Sequence, residues 1–293
     1  MNSTKNKIAE SVLLSFLTFL LLFLSVTFSN AQRLKQYSTL DEALTKPEEV
    51  QWLELHADTL TEFPEELLLF TNLQYLDLSN TGISSLPDSI AKLSKLQSLN
   101  LSGTQIVTLP NALDQLTSLT SIQLSYLENF DLASSLIVLS RIPSLKSVDL
   151  KYDNLSELPD NIRLLQQVEL IDLSGNPIKT LPDEFASLSR LQTLYLNNDS
   201  YLDLDQSINV LARIPKLYEL HLENDGFNTL PERIKSLRKL RYLYLNENKI
   251  EALPASLQDM NSLEYVDLNK NPIPNIFWDS YRLSPKVKIN ISD

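Results

Sequence analysis

The sequence of 293 residues contains no cysteine, and this absence excludes several kinds of chemistry at once. Without a thiol the chain forms no disulfide, binds no metal through sulfur, and offers neither a cysteine nucleophile nor a cysteine for lipid attachment. If the chain is exported, its packed core alone must therefore hold it together.

Glycine and basic residues are also in short supply. The four glycines form neither a GxxxxGK nor a GxGxxG motif, which excludes the common phosphate-binding loops. The chain has 25 lysines and arginines against 37 acidic residues, a formal net charge of −12. So acidic a chain repels the phosphates of nucleic acids and of anionic membrane surfaces, and we predict neither as a partner.

The N-terminus has the pattern of a targeting segment. Lys5 and Lys7 precede an apolar run, and Ser29-Asn30-Ala31 resembles a cleavage site, so residues 1–31 are predicted to be a signal peptide. We expect the protein to be secreted, periplasmic or on the cell surface. The alternative is that residues 11–28 remain as an uncleaved anchor, because the run approaches the roughly 20 residues that a membrane span needs.

One leucine pattern recurs ten times between residues 50 and 275. The intervals between first positions are 23 or 26 residues. A fixed period in this range is typical of a solenoid, in which each unit buries its apolar face only by stacking on its neighbours. The first positions are Val50, Leu73, Leu96, Leu119, Leu145, Val168, Leu191, Leu217, Leu240 and Leu263.

The unit that begins at Leu96 illustrates the local structure. Leu99 and Leu101 alternate with polar residues, which predicts a short strand with the leucines inside. Pro110 ends the extended segment, and the spacing of Leu113 and Leu116 suits a helical turn that packs back on the core. Strand, turn and helical return, repeated in series, predict a parallel sheet.

This pattern resembles the leucine-rich repeat family, in its 23-residue form with a Leu-Pro pair in the second half. The resemblance implies an α/β solenoid: a curved horseshoe with a concave parallel β-sheet and short helices and 3-10 turns on the convex side. The absence of cysteine-bridged caps makes the chain similar to exported bacterial members. The Leu-Pro pairs begin at Leu86, Leu109, Leu158, Leu181, Leu230 and Leu253, with Phe63-Pro64 as a variant.

The resemblance also implies an asparagine at the ninth position, where its side chain bonds the backbone of adjoining turns. Most residues in this column can form such a bond, but Leu127 cannot, so we expect an irregular turn there. The two long units lack the Leu-Pro pair and lie in a duplicated block, 119–190 and 191–262, and we expect fuller α-helices in them. The column reads Asp58, Thr81, Thr104, Leu127, Asp153, Asn176, Asp199, Asp225, Asn248 and Asn271.

A solenoid needs covered ends. We predict an N-terminal helical cap at residues 32–49, with Ser38 as the helix cap and Asp41 three positions later. The ten repeats occupy residues 50–275, and residues 276–293 form a C-terminal cap. The residues expected to close that end are Ile276, Phe277, Trp278, Val287, Ile289 and Ile291.

Residues that could support catalysis are few and scattered. His56 and His221 belong to repeats near opposite ends of the array, too far apart to share a metal ion. Asp203-x-Asp205 lacks the other ligands and the glycine of a calcium loop. We therefore predict no catalytic residues, no metal and no cofactor, and hence a protein that is not an enzyme.

The open face of the predicted sheet carries the second, third, fifth, seventh and eighth positions. Acids outnumber bases there, which favours a cationic or hydroxyl-rich partner. Tyrosines collect in the last four units and supply the contact area typical of binding hot spots, whereas N-terminal units have small polar residues such as Ser98 and Ser121. The predicted partner-binding residues are Tyr195, Tyr218, Glu219, His221, Tyr242, Tyr244, Tyr265 and Asp267.

These patterns together predict a monomeric, exported, non-catalytic protein that binds a protein or peptide partner through its concave face. A second interpretation is an envelope-tethered structural or scaffold protein that keeps residues 11–28 as its anchor. A third interpretation concerns the tyrosines alone: aromatic side chains suit strands, and stacked rings stabilise neighbouring strands by cross-strand contact without binding anything.

Overall fold

The computed structural model describes residues 34–56 and 59–291. The chain divides into two units, Met1–Lys35 and Gln36–Asp293, and the fold reported below is that of the second. The predicted signal peptide, the alternative anchor and Asp58 lie outside the described residues. Within the described residues, no helix has the length and apolar character needed to cross a membrane.

The described part of Gln36–Asp293 forms one sheet of twelve parallel strands, and their order in space is their order in the chain. Strands β2 to β11 are the ten predicted Leu-x-Leu strands, which confirms the solenoid. The strands are β1 Gln36–Tyr37, β2 Trp52–Glu54, β3 Tyr75–Asp77, β4 Ser98–Asn100, β5 Ser121–Gln123, β6 Ser147–Asp149, β7 Leu170–Asp172, β8 Thr193–Tyr195, β9 Glu219–His221, β10 Tyr242–Tyr244, β11 Tyr265–Asp267 and β12 Lys288–Asn290.

Neighbouring strands pair in equal register. Leu76 lies opposite Leu99, and Leu99 lies opposite Ile122, so the fourth position of each unit stacks on the fourth position of the next. Sixth-position residues such as Leu78 and Leu101 are also fully buried. One continuous apolar core therefore runs through all the units, and each unit depends on its neighbours for burial.

The chain returns from strand to strand through short helices. In the 23-residue units the return is a 3-10 helix that starts directly after the proline of the Leu-Pro pair, because proline ends the extended segment and fixes φ near −70°. The 3-10 helices are Pro47–Glu49, Glu65–Leu69, Asp88–Lys92, Asn111–Gln115, Asp160–Leu164, Asp183–Ser187, Glu232–Ser236 and Ala255–Asp259.

The two long units return through true α-helices, as predicted. Each begins with an aspartate cap: Asp131 accepts a hydrogen bond from the Ser134 N–H, and Asp203 accepts one from the Gln206 N–H. The three extra residues extend the return enough for i→i−4 bonding. The α-helices are α1 Leu40–Ala43, α2 Leu132–Ser140, α3 Leu204–Leu211 and α4 Phe277–Ser280.

In the turns that follow β3 to β11, the residue at the eighth position is left-handed. Tyr126 has φ 61°, like its equivalents, and the next residue, Leu127, donates its N–H to Asp153 Oδ1 at 2.8 Å. The expectation of an irregular turn at Leu127 is therefore wrong. The turn keeps the left-handed residue, and the Leu127 N–H bonds the next unit just as the N–H groups of Asp153 and Asp225 do. The left-handed residues at this position are Asn80, Gly103, Tyr126, Tyr152, Gly175, Asn198, Asn224, Glu247 and Lys270.

The N-terminal end is covered by β1 and α1. Thr39, and not the predicted Ser38, caps α1, and its hydroxyl accepts a hydrogen bond from the Glu42 N–H at 3.3 Å. The capping spacing is therefore Thr39 to Glu42, one residue later than predicted. Strand β1 pairs with β2 and extends the sheet by a strand that the leucine pattern does not contain.

The C-terminal end is covered by α4 and by β12, which pairs with β11. Phe277 and Trp278 pack against the core as predicted. Ile276 and Ile291 are 74% and 43% exposed, so the expectation that both help to close the core is wrong. Ile276 is the residue just before α4, outside the ring cluster that Phe277 and Trp278 form with Tyr281.

Gly175 lies at an eighth position where no side chain fits. Its φ is +71°, and a Cβ atom there would approach the Tyr152 ring to 2.1 Å. We predict that Gly175→Ala lowers the free energy of unfolding by about 3 kcal/mol, because about 1–2 kcal/mol of conformational strain adds to the displacement of the ring. Urea denaturation measures this loss.

Gly226→Ala is the matched control. Gly226 has φ +76°, but nothing lies within 4 Å of a Cβ atom built there. This variant should therefore show only the conformational cost of about 1–2 kcal/mol. Equal losses in the two variants would contradict the role assigned to the Tyr152 ring.

Candidate functional site

The open face of the sheet presents the fifth-position side chains as one column, because the strands pair in equal register. Tyr195 lies opposite His221, His221 opposite Tyr244, and Tyr244 opposite Asp267. The third-position residues form a parallel column beside it, with Glu219 next to Tyr242 and Tyr242 next to Tyr265. Four adjacent strands, β8 to β11, thus carry most of the predicted site.

The centre of this region is a stack of three rings. The His221 ring lies 3.9 Å from the Tyr195 ring and 4.1 Å from the Tyr244 ring, with interplanar angles of 19° and 4°. The Tyr265 ring continues the row at 5.4 Å from Tyr244 but is tilted by 52°. We call Tyr195, His221, Tyr244 and Tyr265 the aromatic row.

His221 is held by carboxylates at both nitrogens. Its Nε2 lies 3.0 Å from Glu219 Oε1, and its Nδ1 lies 3.0 Å from Glu223 Oε1. Burial by itself lowers the pKa of His221, but the hydrogen bonds to Glu219 and Glu223 outweigh it, so the pKa is raised. An imidazole that faces an acceptor at each nitrogen carries both protons, and His221 is therefore a cation at neutral pH.

The tyrosines beside His221 stay protonated. Burial, followed by the negative charge of Glu219, raises the pKa of Tyr195 far above its ordinary value and that of Tyr244 to about 12. Stacked on either side of an imidazolium, their rings also present electron-rich faces to the charge. The stack thus stabilises His221 through its faces while the two glutamates stabilise it through its edge.

The C-terminal side of the row is fixed by hydrogen bonds. The Tyr265 hydroxyl donates to Asp267 Oδ2 at 3.0 Å, and the same oxygen accepts from Asn290 Nδ2 at 2.9 Å. Asp267 Oδ1 accepts the N–H of Asn269 at 3.0 Å. Asp267 is thus engaged with its own neighbours.

The rim of the site is built around Glu264. Arg241 donates to both oxygens of Glu264, at 2.8 and 2.9 Å, and the Tyr242 hydroxyl donates to it at 3.2 Å. Tyr218 lies half-buried in the same region, and its carbonyl oxygen accepts the backbone N–H groups of Arg241 and Tyr242. Among the described residues, Tyr218 has no place in the aromatic row.

The structure therefore brings seven of the eight predicted residues together on β8 to β11 and leaves Tyr218 at the rim. Their role in binding stays a prediction. The residue that sequence reasoning left out of the site is Glu223, the second carboxylate on His221. The spacing Glu219-x-His221-x-Glu223 indicates that Glu223 lies beside His221, since alternate residues of a strand point to one face.

The acidic side chains of this face are mostly paired with its own cations, which the count of acids does not reveal. Lys151 Nζ lies 2.9 Å from Asp149 Oδ2 and 3.5 Å from Asp172 Oδ2, and its side chain is only 12% exposed. Lys270 pairs with Glu247 at 2.7 Å. The negative charge available to a partner is correspondingly smaller.

A second aromatic pair lies at the N-terminal end of the same face. The Trp52 and Tyr75 rings on β2 and β3 are 5.1 Å apart, and Trp52 Nε1 donates to Glu54 at 2.8 Å. The expectation that the aromatic residues of this face gather only at its C-terminal end is therefore wrong. It rests on the small polar residues of the third and fourth repeats, whereas the first two repeats carry Trp52 and Tyr75. Ser98, at the same position as Trp52 and Tyr75, begins the small-residue segment that separates the two aromatic regions.

Metal binding finds no support in the geometry of the described residues, where no three His, Asp or Glu side chains are grouped so as to hold an ion.

The family comparisons cover most of the repeats. Residues 42–146 match a leucine-rich repeat region, and residues 143–200 and 215–273 match leucine-rich repeats. No curated protein sequence matches the chain significantly.

Three solved structures, each from a different organism, illustrate the similarity of fold. A leucine-rich repeat protein of Leptospira interrogans is 28% identical with a TM-score of 0.63; the match covers 84% of this chain and 62% of that one, so the present chain spans about three-fifths of its length. An internalin of Listeria monocytogenes is 18% identical with a TM-score of 0.55, covering 89% and 80% of the two chains. A chain of the Drosophila Toll–Spatzle complex is 21% identical with a TM-score of 0.68, covering 88% of this chain and 35% of that one.

The two lower identities show the fold alone. The family matches, however, fall on the units whose strands pair in equal register, and the 23- and 26-residue periods recur through both matched regions. The chain belongs to the leucine-rich repeat family.

Proposed function

We propose that this protein binds a protein or peptide partner on the open face of its sheet, centred on the aromatic row, and carries out no catalysis. The observation that carries the proposal is the three-ring stack of Tyr195, His221 and Tyr244. The central ring, His221, is held on both faces by the tyrosine rings and at both nitrogens by Glu219 and Glu223, so ordering the stack on binding would cost little conformational entropy.

The surroundings of the row support a partner of extended or relatively flat shape. Neighbouring parallel strands are about 4.8 Å apart, so the row itself spans roughly 15 Å, and the sheet continues on both sides of it. Tyr242 and Tyr218 at the rim add half-exposed aromatic surface. One fold neighbour comes from the complex of Toll with Spatzle, which favours a partner-binding role for the present chain.

Recognition by ring surface and hydrogen bonds outweighs recognition by charge in this proposal. Glu219 and Glu223 are occupied by His221, and Asp267 is occupied by Tyr265 and Asn290. A basic group on the partner would add to the contact through the remaining acidic surplus of the face. We propose a monomer as the binding form.

We further propose that the protein acts outside the cytoplasm after loss of residues 1–31. The support is the basic start, apolar run and small-residue end of that segment. N-terminal sequencing of the exported protein should begin at Gln32. A sequence that begins at Met1 would instead support the tethered form with residues 11–28 as anchor.

The binding proposal predicts that the aromatic row is needed for capture. Residues 32–293, immobilised, should capture polypeptides that mass spectrometry identifies, and the combined change Tyr195→Ala, Tyr242→Ala and Tyr244→Ala should reduce that capture at least tenfold. The physical reason is that central aromatic anchors contribute most of the energy of an interface, commonly about 2 kcal/mol or more each.

Tyr201→Ala is the matched control, because Tyr201 is 64% exposed and lies outside the aromatic row. This variant should capture the same polypeptides as the wild type. Circular dichroism must show the same spectrum for all three proteins. Undiminished capture by the folded triple variant would show that the aromatic row is not the binding site.

His221 should also be a main contributor to local stability. We predict that His221→Ala lowers the free energy of unfolding by about 3 kcal/mol at pH 6, because it leaves Glu219 and Glu223 without their cation. Since the pKa of His221 is raised in the folded state, its stabilisation is full below about pH 6.5 and is lost as the pH rises through the folded-state pKa. The difference between wild type and variant should therefore shrink in alkaline buffer.

His56→Ala provides the comparison. His56 lies 3.6 Å from Glu54, but its side chain is 45% exposed, so its loss should cost less than about 1 kcal/mol. Urea denaturation of both variants at pH 6 and pH 9 separates the two cases. A His221 variant as mild as the His56 variant would show that the stack does not depend on its cation.

A further inference from the structure

In the described repeats the ninth position belongs to the turn that follows the strand, and the side chains there that carry a donor all make the same kind of hydrogen bond. Each donates to the carbonyl oxygen three residues earlier, at the sixth position of its own unit. Thr81 and Thr104 do so through Oγ1, both at 2.7 Å. Asn176, Asn248 and Asn271 do so through Nδ2, at 2.8, 2.9 and 3.1 Å.

Asn176 shows the full pattern of which this bond is a part. Its Nδ2 donates to the carbonyl oxygens of Leu150 and Leu173, both at 2.8 Å. Its Oδ1 accepts the N–H groups of Asp153 and Leu155, both at 3.0 Å. One amide therefore makes hydrogen bonds to four backbone groups of two successive units, two through its nitrogen and two through its oxygen.

Aspartate occupies the same position in three of the described units, those of Asp153, Asp199 and Asp225, and there only the acceptor half of the pattern is made. The Oδ1 atoms of Asp153 and Asp225 accept the N–H groups of Leu127 and Asp199, both at 2.8 Å, and Asp199 Oδ1 accepts the Tyr201 N–H at 3.0 Å. The three residues are 6%, 3% and 2% exposed, in the order Asp153, Asp225, Asp199. Their Oδ2 atoms are buried with no hydrogen-bond partner within the described residues.

No cation compensates these carboxyl groups in the described part of the chain, where none of them takes part in an ion pair. The charged neighbours are acidic: Asp149 faces Asp153, while Asp199 and Glu223 face Asp225. An ionised carboxylate would therefore be buried next to like charge, with one oxygen unsatisfied. Such a group costs several kcal/mol unless it takes up a proton.

We propose that in the folded protein Asp153 and Asp225 at neutral pH, and Asp199 in mild acid, are protonated at Oδ2. Each donates that proton to the sixth-position carbonyl oxygen of its own unit: Leu150 for Asp153, Leu222 for Asp225 and Leu196 for Asp199. Each thereby acts as an asparagine whose donor can be removed by base. The turns that these residues hold are tightened in acid and loosened in alkali.

The titration of the three groups agrees with this geometry. Burial raises the pKa of Asp153 and of Asp225 to about 8, and the pKa of Asp199 to about 6. The unfolded-state value is near 4. Because the folded-state pKa is the higher one, the stabilisation is complete below about pH 4 and is lost as the pH rises through 6 and then 8.

Of the three aspartates, Asp153 and Asp225 have the higher pKa values, and their positions show where in the fold deprotonation acts. Asp153 and Asp225 correspond to each other in the duplicated block, and each binds the ninth-position N–H of the long unit before it, at Leu127 and Asp199. These long units are the ones that return through α2 and α3. Deprotonation therefore acts at the two junctions next to the α-helices, whereas the following junctions are held by the non-titrating side chains of Asn176 and Asn248.

The test is urea unfolding of residues 32–293 between pH 5 and pH 9, for the wild type and for the double variant Asp153→Asn and Asp225→Asn. The asparagines supply a donor that does not titrate. At pH 5 the two proteins should have similar unfolding equilibrium constants. At pH 9 the wild-type constant should be at least tenfold larger than that of the variant, which is about 1.4 kcal/mol.

The comparison cancels the other titrating groups, because His56 and His221 are present in both proteins. Asp160→Asn, at an exposed aspartate, is the surface control and should follow the wild type at every pH. The reverse change, Asn176→Asp, should add a new loss of stability in alkali. Parallel pH profiles for the wild type and the double variant would overturn the proposal.

A direct measurement covers the case in which the double variant does not fold. Carbon-13 NMR of the aspartate carboxyl groups in the wild type follows their protonation, and the amide resonance of Leu127 reports on its bond to Asp153. Carboxyl resonances that titrate between pH 6 and pH 9 together with the Leu127 amide support the proposal. Titration of all aspartates near pH 4 overturns it.

Discussion

Equal register between successive parallel strands is the constraint on which the rest of the molecule depends. It places Leu76 on Leu99 and Leu99 on Ile122, and so on through the array, so that the apolar side chains of one unit are buried by those of the next. A slip of one residue would turn every fourth- and sixth-position side chain to the opposite face. The core thus enforces the alignment that the polar columns then use.

The same register concentrates whatever residue type a column contains. On the open face it stacks Tyr195, His221 and Tyr244 with neighbouring rings about 4 Å apart, although neighbours in the stack are separated by 23 or 26 residues of chain. At the ninth position it sets one side chain against two successive turns, as Asn176 shows. Binding surface and turn support are therefore two products of one periodic core, the first on the open face of the strands and the second in the turns that follow them.

The leucine period was enough to predict the ten strands, their order and the α-helices of the long units, because these follow from burial and chain length alone. The leucine period does not predict which side chains of the site bond to one another. Column membership says that His221 lies beside Tyr195, but it does not say that Glu219 and Glu223 take both imidazole nitrogens. Trp52 could have been found in the first strand and was overlooked. The exposure of Ile276 depends on the path of the cap, which no repeat specifies.

The buried acids of this protein are neutralised in two different ways, and the difference follows from where cations can reach. On the open face, Lys151 and His221 each pair with two carboxylates. At the ninth position, Asp153 and Asp225 accept backbone N–H groups, and among the described residues no lysine, arginine or histidine pairs with them. In our proposal a proton takes the place of that cation. An acidic solenoid without disulfides can keep those carboxyl groups buried because its turns hold them in their neutral form.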